Sequence, residues 1–92
     1  MTDKLPDPLV AIRIANYFSN RELRRVKILY TNHRGEIRLR NIMPSRVYYG
    51  ECEWHKGAQW LLVAGDYDRF QNGEEDLTRT FAVCDIQSWE VQ

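Results

Sequence analysis

The 92-residue chain is 43% apolar and 12% aromatic with a formal charge of zero, a composition that excludes a disordered chain. No stretch approaches the roughly 20 apolar residues of a membrane span, and Met1 to Pro6 lacks the apolar run of a signal peptide, so a cytoplasmic protein is expected. At this length a chain makes one domain with one core and buries only about 60–65% of its unfolded surface. Two cysteines, Cys52 and Cys84, fit a reducing compartment.

The zero charge hides an asymmetry. Residues 1–46 carry ten Lys or Arg against four Asp or Glu, a net of +6, and residues 47–92 carry three against nine, a net of −6. Either the two halves interleave and neutralise each other, or the first half presents a basic face to an anionic partner.

The first expected element is a helix over about Pro8–Ser19. Asp7 is a good N-cap and Pro8 suits the first helical position. Leu9, Ile12 and Ala15 recur at helical spacing, as do Val10, Ile14, Tyr17 and Phe18, so a wide apolar surface should be packed. From Leu23 to Tyr30, Val26, Ile28 and Tyr30 alternate with Arg25 and Lys27, a strand with one buried face. Asn32-His33-Arg34-Gly35 reads as a turn with Gly35 at positive φ. The return strand, Glu36 to Ile42, sets Ile37 and Leu39 against Arg38 and Arg40. Leu39 and Ile42 are three apart and cannot share a face of a regular strand, so a bulge near Asn41 is expected, with Pro44 supporting a break.

Strand continues through Val47-Tyr48-Tyr49, and Gly50 to Gly57 is a polar turn. Gln59 to Ala64 is an almost unbroken apolar run, expected as a central strand buried on both sides with Trp60 in the core. Gly65 to Asp76 reads as a long acidic loop. Thr78 to Val83 is a further strand, and Ile86, Trp89 and Val91 close the core. The order, one helix and then about five short strands, is mostly β and points to a small curled antiparallel sheet or barrel in a single domain over residues 1–92.

In order and spacing, these segments resemble the WYL domain family. The matching residues are Val26-Lys27-Ile28-Leu29-Tyr30, Gly35-Glu36, Arg40-Asn41-Ile42-Met43-Pro44, Trp60-Leu61-Leu62 and Arg79-Thr80-Phe81. The resemblance runs from about Leu23 to Val91 and implies an Sm-like or SH3-like β-barrel behind a lead-in helix. It also implies a non-catalytic sensing module of bacterial transcription regulators, with a nucleotide-like or single-stranded nucleic-acid ligand held by basic residues and the motif's Tyr. By position, Arg40 and Arg79 carry over. The middle motif residue here is Leu61 instead of Tyr, and Asp85-Ile86 stands where the family commonly has Arg-Ile. Neither the winged helix nor the C-terminal extension of the usual regulators is present, so less than a complete regulator is expected.

Arg38 and Arg40 share one face of their strand, and Arg25 and Lys27 one face of theirs. Were the hairpin register to merge those faces, four cations would form a surface suited to phosphate. The alternative is that the acidic loop, with Asp66, Asp68, Glu74, Glu75 and Asp76, folds over and pairs with them. Tyr48, Tyr49 and Trp54 are candidates for stacking on bases or for packing at the rim. The expected ligand-binding set is Arg25, Lys27, Arg38, Arg40, Tyr48 and Arg79. No cofactor, metal or catalytic site is expected: Cys52 and His55 have ligand-like spacing but no second pair, and no phosphate loop or nucleophile elbow is present. The competing function is protein–protein assembly through the edges of the small sheet, with the ligand site degenerate.

Overall fold

The computed structural model describes residues 5–52 and 55–92; Trp54 and the side chains of His55 and Lys56 lie outside what it describes. In chain order the elements are α1 (Pro8–Ser19), β1 (Val26–Thr31), β2 (Ile37–Cys52), β3 (His55–Asp66), α2 (Tyr67–Gln71), β4 (Thr78–Ala82), a single 3-10 turn (Val83–Asp85) and β5 (Ile86–Val91). The five strands form one antiparallel sheet in the order β4-β3-β2-β1-β5. Strands β1 to β4 are a meander, and β5 returns to the free side of β1. Among the described residues the pairing is that of an open sheet, with β4 and β5 as its two edges. No helix is long and apolar enough to cross a membrane among the described residues.

Helix α1 occupies the span its signals predict. The Asp7 carboxylate accepts the Leu9 and Val10 N–H groups at 2.9 and 3.2 Å, satisfying donors that the first turn leaves over. Its end is a Schellman arrangement: the Arg21 N–H reaches the Phe18 carbonyl and the Glu22 N–H reaches the Tyr17 carbonyl. That closure puts Arg21 at φ +52°, a left-handed conformation in which glycine is normally found. Val10, Ile14 and Tyr17 are buried against the sheet. Leu9 and Ile12, which the wide apolar surface predicts in the core, are instead 56% and 59% exposed, because they lie on the far side of a helix that contacts the sheet along one stripe.

The core lies between α1 and one face of the sheet. Trp89 on β5 is its largest fully buried side chain, in edge-to-face contact with Tyr17 at 5.5 Å. Arg13 donates to the Trp89 carbonyl at 3.1 Å, and the Tyr17 hydroxyl donates to the Arg24 carbonyl at 2.6 Å, so polar contacts lock the helix on both sides of that ring pair. Val26, Ile28, Ile42, Leu62, Phe81 and Ile86 complete the cluster from all five strands.

Several sequence expectations change; Val91, expected to close the core, is 37% exposed at the end of β5. The β1–β2 ladder runs without interruption from Val26 opposite Ile42 to Thr31 opposite Ile37, so no bulge occurs near Asn41. Leu39 and Ile37 simply face outward, 62% and 55% exposed, while Ile42 fills the core. The irregularity comes later, between Pro44 and Arg46, where Ser45 is the extra residue and proline removes a ladder donor. Trp60 is 50% exposed and rests against Tyr49 across the β2–β3 arm, at 5.4 Å between rings, instead of entering the core. The acidic segment holds the short helix α2, capped by Asp66, whose carboxylate accepts the Arg69 N–H at 3.2 Å.

The cap geometry gives a direct test. An L-residue held in the left-handed region costs about 1–2 kcal/mol, partly offset for glycine by its greater freedom when unfolded. Arg21→Gly is therefore expected to raise the unfolding free energy by roughly 0.5–1 kcal/mol in a urea titration; a loss of stability would mean that Arg21 is not the left-handed cap.

Candidate ligand-binding face

Residues directly opposite in an antiparallel pair share a face, and that rule sorts the basic side chains. Arg38 stands opposite Tyr30 and Arg40 opposite Ile28, so both lie on the face that carries the core. Arg79 stands opposite Ala64, two residues before Phe81 on the same face. The Phe81 and Tyr30 rings meet edge to face at 4.8 Å. Lys27 is opposite Asn41, and Arg25 precedes it by two residues on the same face, the other side of the sheet. The four hairpin cations therefore do not merge: two lie on each side.

Their surroundings differ accordingly. Arg25 stacks on the ring of Tyr67 in α2 with its guanidinium carbon 4.3 Å from the ring centre. Lys27 sits across from Glu90 of β5. Arg38 is exposed and pairs with Glu36 at 3.4 Å, a surface contact of little energetic weight. Arg40 is half-buried, and its Nε is buried with no hydrogen-bond partner among the described residues. Among the described residues, the polar contacts of the acidic segment go elsewhere than to the hairpin cations: Asp66 and Glu74 both pair with Arg69 of their own segment, and Asp68 accepts from Asn41. Tyr48 is remote from these cations. It lies eight residues beyond Arg40 on β2, roughly 25 Å along an extended strand, opposite Leu61, with Arg46 stacked 4.8 Å over its ring.

At the centre of the face is a residue outside the expected binding set, Tyr30. Its hydroxyl accepts the Ala82 N–H at 3.1 Å, across the two intervening strands. Burial is the main cause pushing its pKa up to about 12, with Asp85 and Cys84 adding to the rise and the Ala82 N–H and Arg40 opposing it. The sequence carries the signal: Val26-Ile28-Tyr30 puts this tyrosine on the buried face, and a buried phenol needs a polar partner.

Leu61 and Asp85 fall in different places. Leu61 is fully buried opposite Ala82, on the face away from Leu62 and Phe81. Asp85 lies close enough to Tyr30 to raise its pKa.

No protein-family model and no curated protein matches the chain. Among solved structures, the proteasome accessory factor B/C (PafBC) of Arthrobacter aurescens matches with a TM-score of 0.64 at 20% identity, over 99% of this chain and 13% of that one. The likeness is one of fold, and the chain spans about an eighth of the protein it matches.

The position of Tyr30 predicts an alkaline transition. Its proton is held more tightly folded than unfolded, so its contribution is complete below about pH 10 and declines as pH rises toward about 12. Tyr30→Phe should flatten the dependence of stability on pH in that window, read by denaturant midpoints; a wild-type curve flat over the same range would contradict the assignment.

Proposed function

We propose that the chain is a non-catalytic binding module of the WYL type, with Arg38, Arg40 and Arg79 receiving a nucleotide-like or single-stranded nucleic-acid ligand. The observation that carries this is the placement of all three arginines on one face around Tyr30, with a buried Arg40 Nε that has no acceptor among the described residues. A guanidinium in that state favours an anionic oxygen, and Arg presents donors in a fork that matches phosphate. Arg25, Lys27 and Tyr48 stand outside the ligand face in this reading.

The barrel-like form belongs to the same proposal. Strands β4 and β5 are the two edges of the sheet, yet only Val83–Asp85 joins them. In a flat sheet the edges would stand about 19 Å apart, while three 3-10 residues and their flanking bonds advance about 8 Å. This supports a sheet curled in the Sm-like or SH3-like manner. The order and spacing of the family motifs, and the fold likeness to the PafBC structure, support the same reading. Assembly through the strand edges is the second reading, favoured by the outer sides of β4 and β5, unpaired in the sheet among the described residues.

An NMR titration of the folded chain at low salt, with nucleotides and short single-stranded oligonucleotides, separates these. Saturable shifts at Arg40 and Arg79 are expected. Arg40→Ala and Arg79→Ala should each weaken binding about tenfold, the equivalent of one charge-assisted hydrogen bond. For each phosphate no longer neutralised, the slope of log affinity against log salt should become shallower by about 0.7. Arg25→Ala, on the opposite side, should bind like wild type. A folded sample that never saturates with any member of the panel removes the ligand reading, and concentration-dependent self-association in that sample would support the edge reading.

A further inference from the structure

Strand β5 is an edge of the sheet, and α1 lies over it: Tyr17 meets the Trp89 ring, and Arg13 donates to the Trp89 carbonyl at 3.1 Å. Between the flank of α1 and this edge is a cleft of about 360 Å³, lined by Arg13, Asn16 and Asn20 on the helix side and by Trp89, Glu90 and Val91 on the strand side. Its volume is within the range of ligand sites, about 300–1,000 Å³.

The hydrogen-bond pattern fixes which backbone groups of β5 face away from β1. The Gln92 N–H donates to the Arg25 carbonyl at 2.8 Å, one residue outside the pairing of Val26 with Val91. That makes Val26 and Val91 a non-hydrogen-bonded pair; by alternation Lys27 and Glu90 are hydrogen-bonded, and Ile28 and Trp89 are not. The N–H and C=O groups of Trp89 and Val91 therefore point outward from the sheet, in agreement with the Arg13 bond to the Trp89 carbonyl. Among the described residues, the Trp89 N–H and both backbone groups of Val91 have no partner. Trp89 is 1% exposed, so its N–H is screened from water too, and buried unpaired N–H groups are rare. A row of outward main-chain donors and acceptors is matched by another main chain laid along the edge.

Charge and space select the partner. The Arg13 guanidinium is held at the edge by the Trp89 carbonyl and makes no ion pair among the described residues. A carboxylate on the strand opposite Trp89 would meet it. A second copy fits less well. Pairing β5 with β5 about a two-fold axis puts both α1 helices on one side of the joined sheet, each over its own edge. Paired strands are about 4.8 Å apart, whereas packed helices need about 8–10 Å between axes.

We propose that the β5 edge binds an extended peptide segment as a sixth strand, with an acidic side chain opposite Trp89 and beside Arg13. This rests on the edge reading and names the edge and the partner.

The test uses the full chain at low salt with the acetylated, amidated pentapeptide Val-Thr-Glu-Thr-Val. One control carries Lys for Glu, and another is N-methylated along its backbone. NMR should show saturable shifts at the Trp89 and Val91 amides, with slower exchange of the Val91 amide proton in the bound state. N-methylation should weaken binding about tenfold or more, and Lys for Glu about tenfold. Arg13→Ala should remove the difference between the Glu and Lys peptides. Val91→Pro deletes an outward N–H that β1 does not use, so it should also weaken binding about tenfold with the melting temperature preserved. The methylated peptide probes the same ladder without altering the protein. No saturable shift in a folded sample, equal affinity for methylated and unmethylated peptides, or shifts confined to Thr78–Ala82 of β4 overturns the proposal. Self-association of a chain that takes no peptide at β5 overturns it too while leaving the edge reading standing.

Discussion

Tyr30 is on β1, yet its hydroxyl accepts an N–H from β4, with two strands between them in the sheet. A phenol side chain cannot bridge three strand spacings, about 14 Å, across a flat surface. The contact therefore requires the sheet to bend toward its core face. The Tyr30–Phe81 ring contact lies on the same line, and the short link from β4 to β5 needs the same bend. Other features follow from this constraint. It brings the Phe81 ring of β4 against the Tyr30 ring of β1.

The helix closes the opposite part of the core. Trp89 meets Tyr17, and hydrogen bonds from Arg13 and Tyr17 reach the backbone of β5 and of the segment before β1. A domain with this much aromatic surface in so few residues gains much of its burial from these ring contacts. The helix covers the core with one stripe only, which leaves Leu9 and Ile12 exposed on its outer side and leaves a groove between its flank and the β2–β3 arm.

Electrostatics divide along the same lines. The +6 of the first half and the −6 of the second are compatible with either cancellation or a basic face. In the fold, α2 brings the acidic segment to the side of Asn41 and Arg25, where Asp68 meets Asn41 and Tyr67 lies under Arg25. Asp66 and Glu74 pair within that segment, on Arg69. Arg38 and Arg40 are on the other side, and Asp85 is the acidic residue whose field reaches Tyr30 beside them. The side carrying Arg38 and Arg40 is basic, with Asp85 close to Tyr30 beside them.

The sequence by itself determined the elements whose signals are local. Asp7-Pro8 starts α1, the β1–β2 hairpin turns at Gly35 with φ +81°, and Val26, Ile28 and Tyr30 alternate into the core, because capping, turn and pleat preferences act over a few residues. The mostly-β order and the pair Arg38 and Arg40 on one face were legible for the same reason. Register was not legible. A shift of one residue exchanges the two faces of a strand, and only the pairing of Tyr30 with Arg38 decided that Arg38 and Arg40 share the core side while Arg25 and Lys27 do not. Trp60 reads as core because it is apolar, but tertiary packing left it outside, since one helix covers only part of a curved sheet. Tyr30 was visible as a strand residue and became a site residue only when β4 came within reach of its hydroxyl, a contact 52 positions away in the chain.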